Sequence, residues 1–506
     1  SAGCVLAARL SENPANTVLL LEAGGPDDNP EIRIPGRYSS LLGSDIDWSY
    51  QSEPQVHLNN RRIDLNRGKV VGGTTALNGM VYMRGNPWDF DHWAALGNPG
   101  WDWRTVRPYF RKAEGYSGPL ADTDYGMDGP LAVTQIPDVL GQVDRFLAAG
   151  ELAGLARNED FNGPVQDGVG PYLHNYRDGE RQTLADAYLK PALGRANLRV
   201  HVYAHVTRLL FAGRRAVGVE YVHDNQVKQA RAEHEIILCG GAINSPHLLL
   251  CSGIGPAAQL QELGIPVVAD LPGVGENLQD HPLLPVRFAA TKSPRVDNSL
   301  SGPAYRDFLA SRTGPLITTR TFAGAFWRTQ PDLPAPDMQV FFSIGEVHDD
   351  NDFALALSLM RPNSRGSVRL RAADPFVYPA IQPNYLDNAS DMQIYVDSVH
   401  MVRRIVDTAP FDGFVQRELA PGSTARHDND IAAWIRTALV TTWHYAGTCK
   451  MGPDPQAVVN HRLQVHGVEG LRVVDASIMP QITTGNINAP VIMIAERGAD
   501  LIQGKL

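Results

Sequence analysis

Between Gly3 and Glu22 the chain sets out a short helix-forming run, AGCVLAARL, then the apolar stretch Val18 to Leu21 and a lone acid at its end. That order constrains the fold more than any other feature. A helix leading into a buried strand that ends on a carboxylate is how a βαβ dinucleotide-binding unit continues after its glycine-rich turn. In such a unit the last glycine of the turn lets helix and strand pack closely. The helix N-terminus aims backbone N–H groups at a pyrophosphate, and an acid roughly 20 residues on binds ribose hydroxyls. Gly3 and Glu22 stand at that spacing. An acid rather than an arginine there suits a ribose without a 2′-phosphate. The strand and first glycines of the turn would precede Ser1, so the motif predicts a natural chain longer by about 10 to 15 residues. A chain truly starting at Ser1 is expected to bind its dinucleotide poorly.

At 506 residues the chain is too long for one core, and two or three units, possibly interleaved, are expected. The net charge of -10 works against a nucleic-acid partner, which needs clustered Lys and Arg. Arg61-Arg62 and Arg214-Arg215 are short basic pairs that suit solvated surface. Apolar runs such as 236–238 and 491–494 fall far short of the ~20 residues of a membrane span, so no integral membrane segment is expected. Cys4, Cys239, Cys251 and Cys449 lie far apart with no CxxC pair, which reads as reduced thiols in a cytoplasmic protein without a metal site.

Along the chain, residues 27–66 are a Pro- and Asp-rich excursion, and GKVVGGTTALNGMVYMRG (68–85) suits a tight loop running into a helix. From Asn197 three alternating segments, ending in HEIIL, predict an antiparallel meander. In CGGAINSPHLLLCSGIG (239–255), Ser245 reads as an N-cap and Pro246 as the first helical residue. Residues 290–435 read as an antiparallel sheet with helices on one face, including SDMQIYVDSVHMVRRIVDTA. LRVVDASIMP reads as strand and turn, and PVIMIAERGADLI as a closing helix begun by Pro490. The fold class is therefore α/β, α+β overall.

Five blocks, GKVVGGTTALNG, GGAINSPHLLLCSGIGP, GVGENLQDH, WHYAGTCKMG and VVDASIMPQITTGNINAPVIMIAERGADLI, occur in the order found in the glucose-methanol-choline (GMC) flavoprotein oxidoreductases. The chain resembles that family over essentially its whole length. The resemblance implies a Rossmann-like FAD-binding domain at 1–155, 195–290 and 436–506, interleaved with a substrate-binding domain at 156–194 and 291–435. It implies that Gly72, Gly73 and Thr74 press backbone onto the flavin diphosphate and ring, and that Asn78 lies at the flavin's reactive edge, although a helix cap is the plain reading of that residue. It further implies that Val206 meets adenine, and that Asp475 bonds the phosphate or ribityl region. Asn488, Ala489 and Pro490 begin the helix whose positive end faces the pyrimidine ring, where reduced flavin gathers negative charge. In relatives with covalent FAD a histidine precedes the loop asparagine. Here Leu77 stands there, so FAD is expected to be non-covalent.

Oxidising an alcohol with flavin needs a base for the hydroxyl proton as hydride leaves the carbon, and histidine suits neutral pH. Of 15 histidines, His444 matches the family's catalytic stretch, with Asn486 as its partner and Asn488 as the fallback. A His–Asn pair is similar to the choline dehydrogenase and hydroxymethylfurfural oxidase branches. The photodecarboxylase branch carries Asn in place of His444 and Cys in place of Met360. A primary alcohol with an apolar body is expected, lined by Trp443, Tyr445 and Met360, with oxygen or another electron acceptor. Choline would want a nearby carboxylate, which Glu346 would supply. A lyase on the same fold and a flavin-free homologue are the alternatives.

Overall fold

The computed structural model describes residues 1–120, 124–291, 299–319, 321–344 and 352–506. The helix Ala2–Leu10 is buried on almost every side, between the strand after it and the closing helix Asn488–Ile502. A Cβ on Gly3 would stand 3.3 Å from Leu20 and 3.6 Å from Cys239, so only glycine permits this closeness without a shift. At the helix end Arg9 clamps the buried Glu496, which also takes the Tyr188 hydroxyl at 2.9 Å and the Lys112 ammonium at 2.9 Å. That cluster ties the two ends of the chain together.

The strand Val18–Leu21 pairs in parallel with Leu198–His201, and Ile236–Leu238 pairs in parallel with Leu471–Val473. The antiparallel meander is therefore shorter than expected, comprising only His205–Ala212, Arg215–His223 and Gln226–Arg231. Tyr203, at φ 53°, turns the chain out of the first segment, while its N–H bonds Gly24 O at 2.8 Å and holds that segment against 22–24. At the other end the Ile236 N–H reaches Gly470 O at 2.9 Å, which draws that strand to 471–473. Among the described residues the two parallel pairs are separate ladders, and 18–21 and 236–238 line one cavity.

The 68–85 loop makes one 3-10 turn, Gly73–Ala76, and then the strand Val81–Tyr82, not the expected helix. Gly72 and Gly73 at φ 93° and 61°, followed by Met80 at 61°, are left-handed positions that stop a helix. The helix Gly241–Cys251 starts well before Pro246, which lies inside it. Its N-cap is Gly240, not Ser245. The Ala242 carbonyl, which Pro246 leaves without its helical donor, accepts from the Thr448 hydroxyl at 2.6 Å.

The second part is an antiparallel sheet in the order 415–420, 282–290, 352–359, 338–344, 321–327, 168–171, with Val440–Thr441 added beside 282–290. Along Met338–Ile344 the side chains alternate: Val340, Phe342 and Ile344 join a core with Phe146, Val399 and Ile431 from the covering helices. Phe341 packs on the opposite face, and Phe341 and Ser343 both line the cavity. Pro282–Ala290 is an interior strand of this sheet, and Leu184–Leu189 packs in the core of the first helix.

Candidate active site

A cavity of about 1360 Å³ runs from the dinucleotide half to the inner face of the sheet. Its wall includes Gly3 and Glu22, the loop residues Gly72, Gly73 and Thr74, and Val206 from the meander. Asn78, His444 and Asn486 line it too. Chain crowding explains the glycines: a Cβ at Gly24 would sit 2.0 Å from Lys69 O, and one at Gly68 2.5 Å from the Gly73 backbone. Burial raises the Glu22 carboxyl, and one of its oxygens accepts from Gly24 N–H at 2.8 Å. A cavity of this volume whose wall holds an acid at a strand end, bare glycine backbone and a helix start suits the donor set that a dinucleotide needs.

His444 follows Trp443, which holds φ 61°, a conformation disfavoured for a bulky residue and typical of functional sites. The turn brings Thr442 and His444 together over His281. The Thr442 hydroxyl donates its one proton to His281 O at 2.6 Å, so at 3.0 Å from His444 Nδ1 it can only accept. His444 therefore carries its proton on Nδ1, shared with His281 Nδ1 at 3.0 Å, and presents the bare Nε2 beside Asn486 Nδ2 at 3.3 Å. Burial first, and then the neighbouring His281 ring and Arg67 guanidinium, which oppose a second positive charge, push the His444 pKa well below its ordinary value. Burial takes His281 down to about 3, with the backbone of Met360 and Thr483 opposing. Both rings are neutral at pH 7. The geometry can take a proton from a hydroxyl at Nε2 and keep it inside the protein.

Asp280 fixes the backbone: its carboxylate accepts from His444 N–H at 2.8 Å, from the Tyr385 hydroxyl at 2.5 Å and from Thr441. Burial raises it to about 6, with these donors and the nearby Arg67 working against the shift. Asp280, His281 and Thr442 were not singled out from the sequence. Their signal was present in GVGENLQDH and in the residue two before His444, but a pairing 163 residues apart has no local signature.

Asn78 is no helix cap. Its carboxamide oxygen accepts from Met80 N–H at 3.1 Å and from Arg181 at 2.8 Å, which leaves its NH2 as the group presented to the cavity. Arg181 is fully buried, among carbonyls, and burial lowers it to about 9. Asp475 lines the cavity, but its carboxylate is occupied by Gly241 N–H at 2.8 Å, Ser245 Oγ at 2.6 Å, Ser477 N–H at 2.8 Å and Ser477 Oγ. It therefore holds the two turns that border the cavity. Asn488 lines the cavity at the first turn of the closing helix, while Ala489 and Pro490 are buried behind it and do not. Trp443 and Tyr445 line it as expected. Met360 does not: it packs behind the wall with Phe341 and Ala356. Glu346 lies outside the described residues.

A family model described as GMC oxidoreductase matches residues 2–283, and a second of the same description matches 362–495. The oxygen-dependent choline dehydrogenase of Burkholderia multivorans is 42% identical over 523 residues, covering 100% of this chain and 92% of that protein. The mitochondrial choline dehydrogenase of Homo sapiens is 43% identical, covering 100% of this chain and 88% of that protein. Among solved structures, pyridoxine 4-oxidase from Mesorbium loti superposes with a TM-score of 0.90 at 34% identity, covering 99% and 96% of the two chains. A formate oxidase variant from Aspergillus oryzae superposes at 0.93 with 26% identity, covering 100% and 96%.

Proposed function

Because the chain belongs to the GMC oxidoreductase family, whose FAD-dependent members oxidise CH–OH groups, we propose that it converts a neutral primary alcohol to the aldehyde. His444 is its base in this proposal. Bound FAD supplies the hydride acceptor. On this reading the Gly3 helix end, Glu22, Gly72 to Thr74, Val206 and Asn488 would hold the cofactor, and Leu77, which offers no nucleophile, leaves it non-covalent. The halves divide as 1–155, 195–281 and 436–506 for FAD, with most of 156–194 and 282–435 for substrate.

The carrying observation is His444 Nε2, whose one lone pair faces the cavity and meets the Asn486 Nδ2 donor at 3.3 Å, a donor that the substrate oxygen would take over. The substrate hydroxyl donates to Nε2 while Asn486 positions its oxygen, so that the proton leaves toward His444 as hydride leaves the carbon. The relatives' names make choline the rival substrate. The acids lining the cavity among the described residues are Glu22, Glu233, Glu235 and Asp475, all in the dinucleotide half. The lining from the sheet and the His444 turn includes Leu283, Phe341 and Trp443. That wall favours an uncharged, apolar body over a quaternary ammonium. The four cysteines are unpaired, which supports a reducing, cytoplasmic setting, and no helix among the described residues is long and apolar enough to cross a membrane.

Anaerobic mixing with benzyl alcohol, 1-hexanol and choline tests the substrate class. Flavin bleaching by the neutral alcohols and not by choline is expected, and equal bleaching by choline overturns the neutral-substrate reading. Air admitted afterwards separates reoxidation by oxygen from dependence on another acceptor.

A further inference from the structure

Asn486 faces His444 with a definite end of its carboxamide, and the structure contains a reason for the choice. Behind Asn486, Gln339 is fully buried on the inner face of the sheet, beside the equally buried Tyr172. The Tyr172 hydroxyl donates to Val340 O at 2.7 Å, which spends its only proton. Burial also raises that phenol far above working pH, so the proton stays. Tyr172 can then only accept from Gln339, whose Nε2 lies 3.1 Å away. The same Nε2 donates to Asn486 Oδ1 at 3.3 Å. With its oxygen engaged there, Asn486 turns Nδ2 toward His444 Nε2 at 3.3 Å, and a donor facing that nitrogen requires a bare lone pair. The Gln339 Oε1 finds no partner among the described residues, so the amide is oriented by its donors alone.

We infer that Tyr172 and Gln339 are positioning residues that hold Asn486 in the one sense that keeps His444 Nε2 unprotonated and ready to accept the substrate proton. The relay runs Val340 O, Tyr172, Gln339, Asn486, His444: Tyr172 donates back to Val340 O and Gln339 back to Tyr172, while Gln339 also donates forward to Asn486 and Asn486 to His444. It reaches the same tautomer that Thr442 enforces from the opposite side of the ring, through atoms that share no partner with it. The inference rests on the reading of His444 as base, and the groups that also bear on that ring are His281, Arg67 and Asp280.

The test is the pH dependence of anaerobic flavin reduction by a saturating neutral alcohol in the holoenzyme, with wild type, His444→Ala, Gln339→Glu, Gln339→Met and Tyr172→Phe. A carboxyl at 339 still donates while protonated but only accepts once ionised, which rotates Asn486 and offers Oδ1 to the base. Gln339→Glu should therefore lose activity as pH rises, by at least about tenfold on the alkaline side, where wild type stays at its plateau. Gln339→Met should lose about tenfold with the wild-type profile shape. Tyr172→Phe, which keeps the volume, should fall at least about threefold and carries the test if the 339 variants lose flavin. A wild-type profile in Gln339→Glu, or an unchanged rate in Tyr172→Phe, overturns the relay. If His444→Ala reduces flavin at the wild-type rate, the base assignment itself falls. A slow His444→Ala beside unaffected Gln339 and Tyr172 variants removes the relay alone.

Discussion

His174 lies under the substrate wall and offers a stability test that needs no knowledge of the substrate. It is buried, pairs across to Val81, and its Nε2 sits 2.9 Å from Thr321 O. Burial lowers its pKa from 6.5 to about 4, the backbone of Thr321 and Tyr172 offsetting only part of the cost. A depressed folded pKa means stability that is full above pH 6.5 and lost as pH falls toward 4, because the unfolded chain takes up a proton that the fold refuses. The gap amounts to about 2 kcal/mol at pH 5 and about 3 kcal/mol at pH 4. Acid sensitivity of the whole protein does not isolate this effect, since Asp280, raised to about 6, contributes with the opposite sign as pH falls through that value. A variant does isolate it. His174→Gln keeps a donor near the Nε2 position and cannot titrate. For a chain of 506 residues the unfolding entropy is about 1 kcal/mol per degree, so 2 kcal/mol corresponds to about 2 °C. Calorimetry of both holoenzymes should show the Tm deficit of His174→Gln shrinking by about 2 °C between pH 7.5 and pH 5. A deficit that is the same at both pH values would refute a neutral, desolvated His174.

Of three further outcomes, two concern the site and one a buried ion pair outside it. Thr442→Val, which preserves shape but removes one of the two acceptors at His444 Nδ1, should slow limiting flavin reduction about fivefold, the equivalent of about 1 kcal/mol, in stopped-flow absorbance. Because the His444 pKa is depressed and the base works unprotonated, kcat/KM should be flat from pH 6 to 8 and fall only at lower pH; an inflection near 6.5 to 7 would contradict the burial of the ring. Arg84 and Glu114 form a fully buried bidentate pair at 2.7 Å, so Arg84→Met should cost about 3 to 5 kcal/mol by stranding the carboxylate, read as a loss of about 3 to 5 °C in Tm.

The parts of this fold that were legible in the sequence are those where local chemistry and global role coincide. Gly3 to Glu22 wrote its helix and strand in residues that must pack within a few ångströms, and the closing helix announced itself with Asn488 and Pro490. The 198–238 region misled because alternation reports one buried face, not the partner: 198–201 and 236–238 alternate like meander strands yet pair in parallel with segments 180 to 235 residues distant. Pro246 signalled a helix start, and the compensation by Thr448 that lets it sit mid-helix comes from 202 residues away. His444 was legible through its block. Its supporters were not, because Thr442, His281, Gln339 and Tyr172 gain their meaning only from the direction of each donated proton, which no spacing records.

The central claim, that His444 Nε2 is the base for alcohol oxidation, is tested most directly by single-turnover flavin reduction in anaerobic stopped flow with saturating benzyl alcohol, comparing wild type with His444→Ala at equal flavin content. Loss of a general base should slow the variant by about 10² or more. Reduction within a few-fold of wild type would contradict the account.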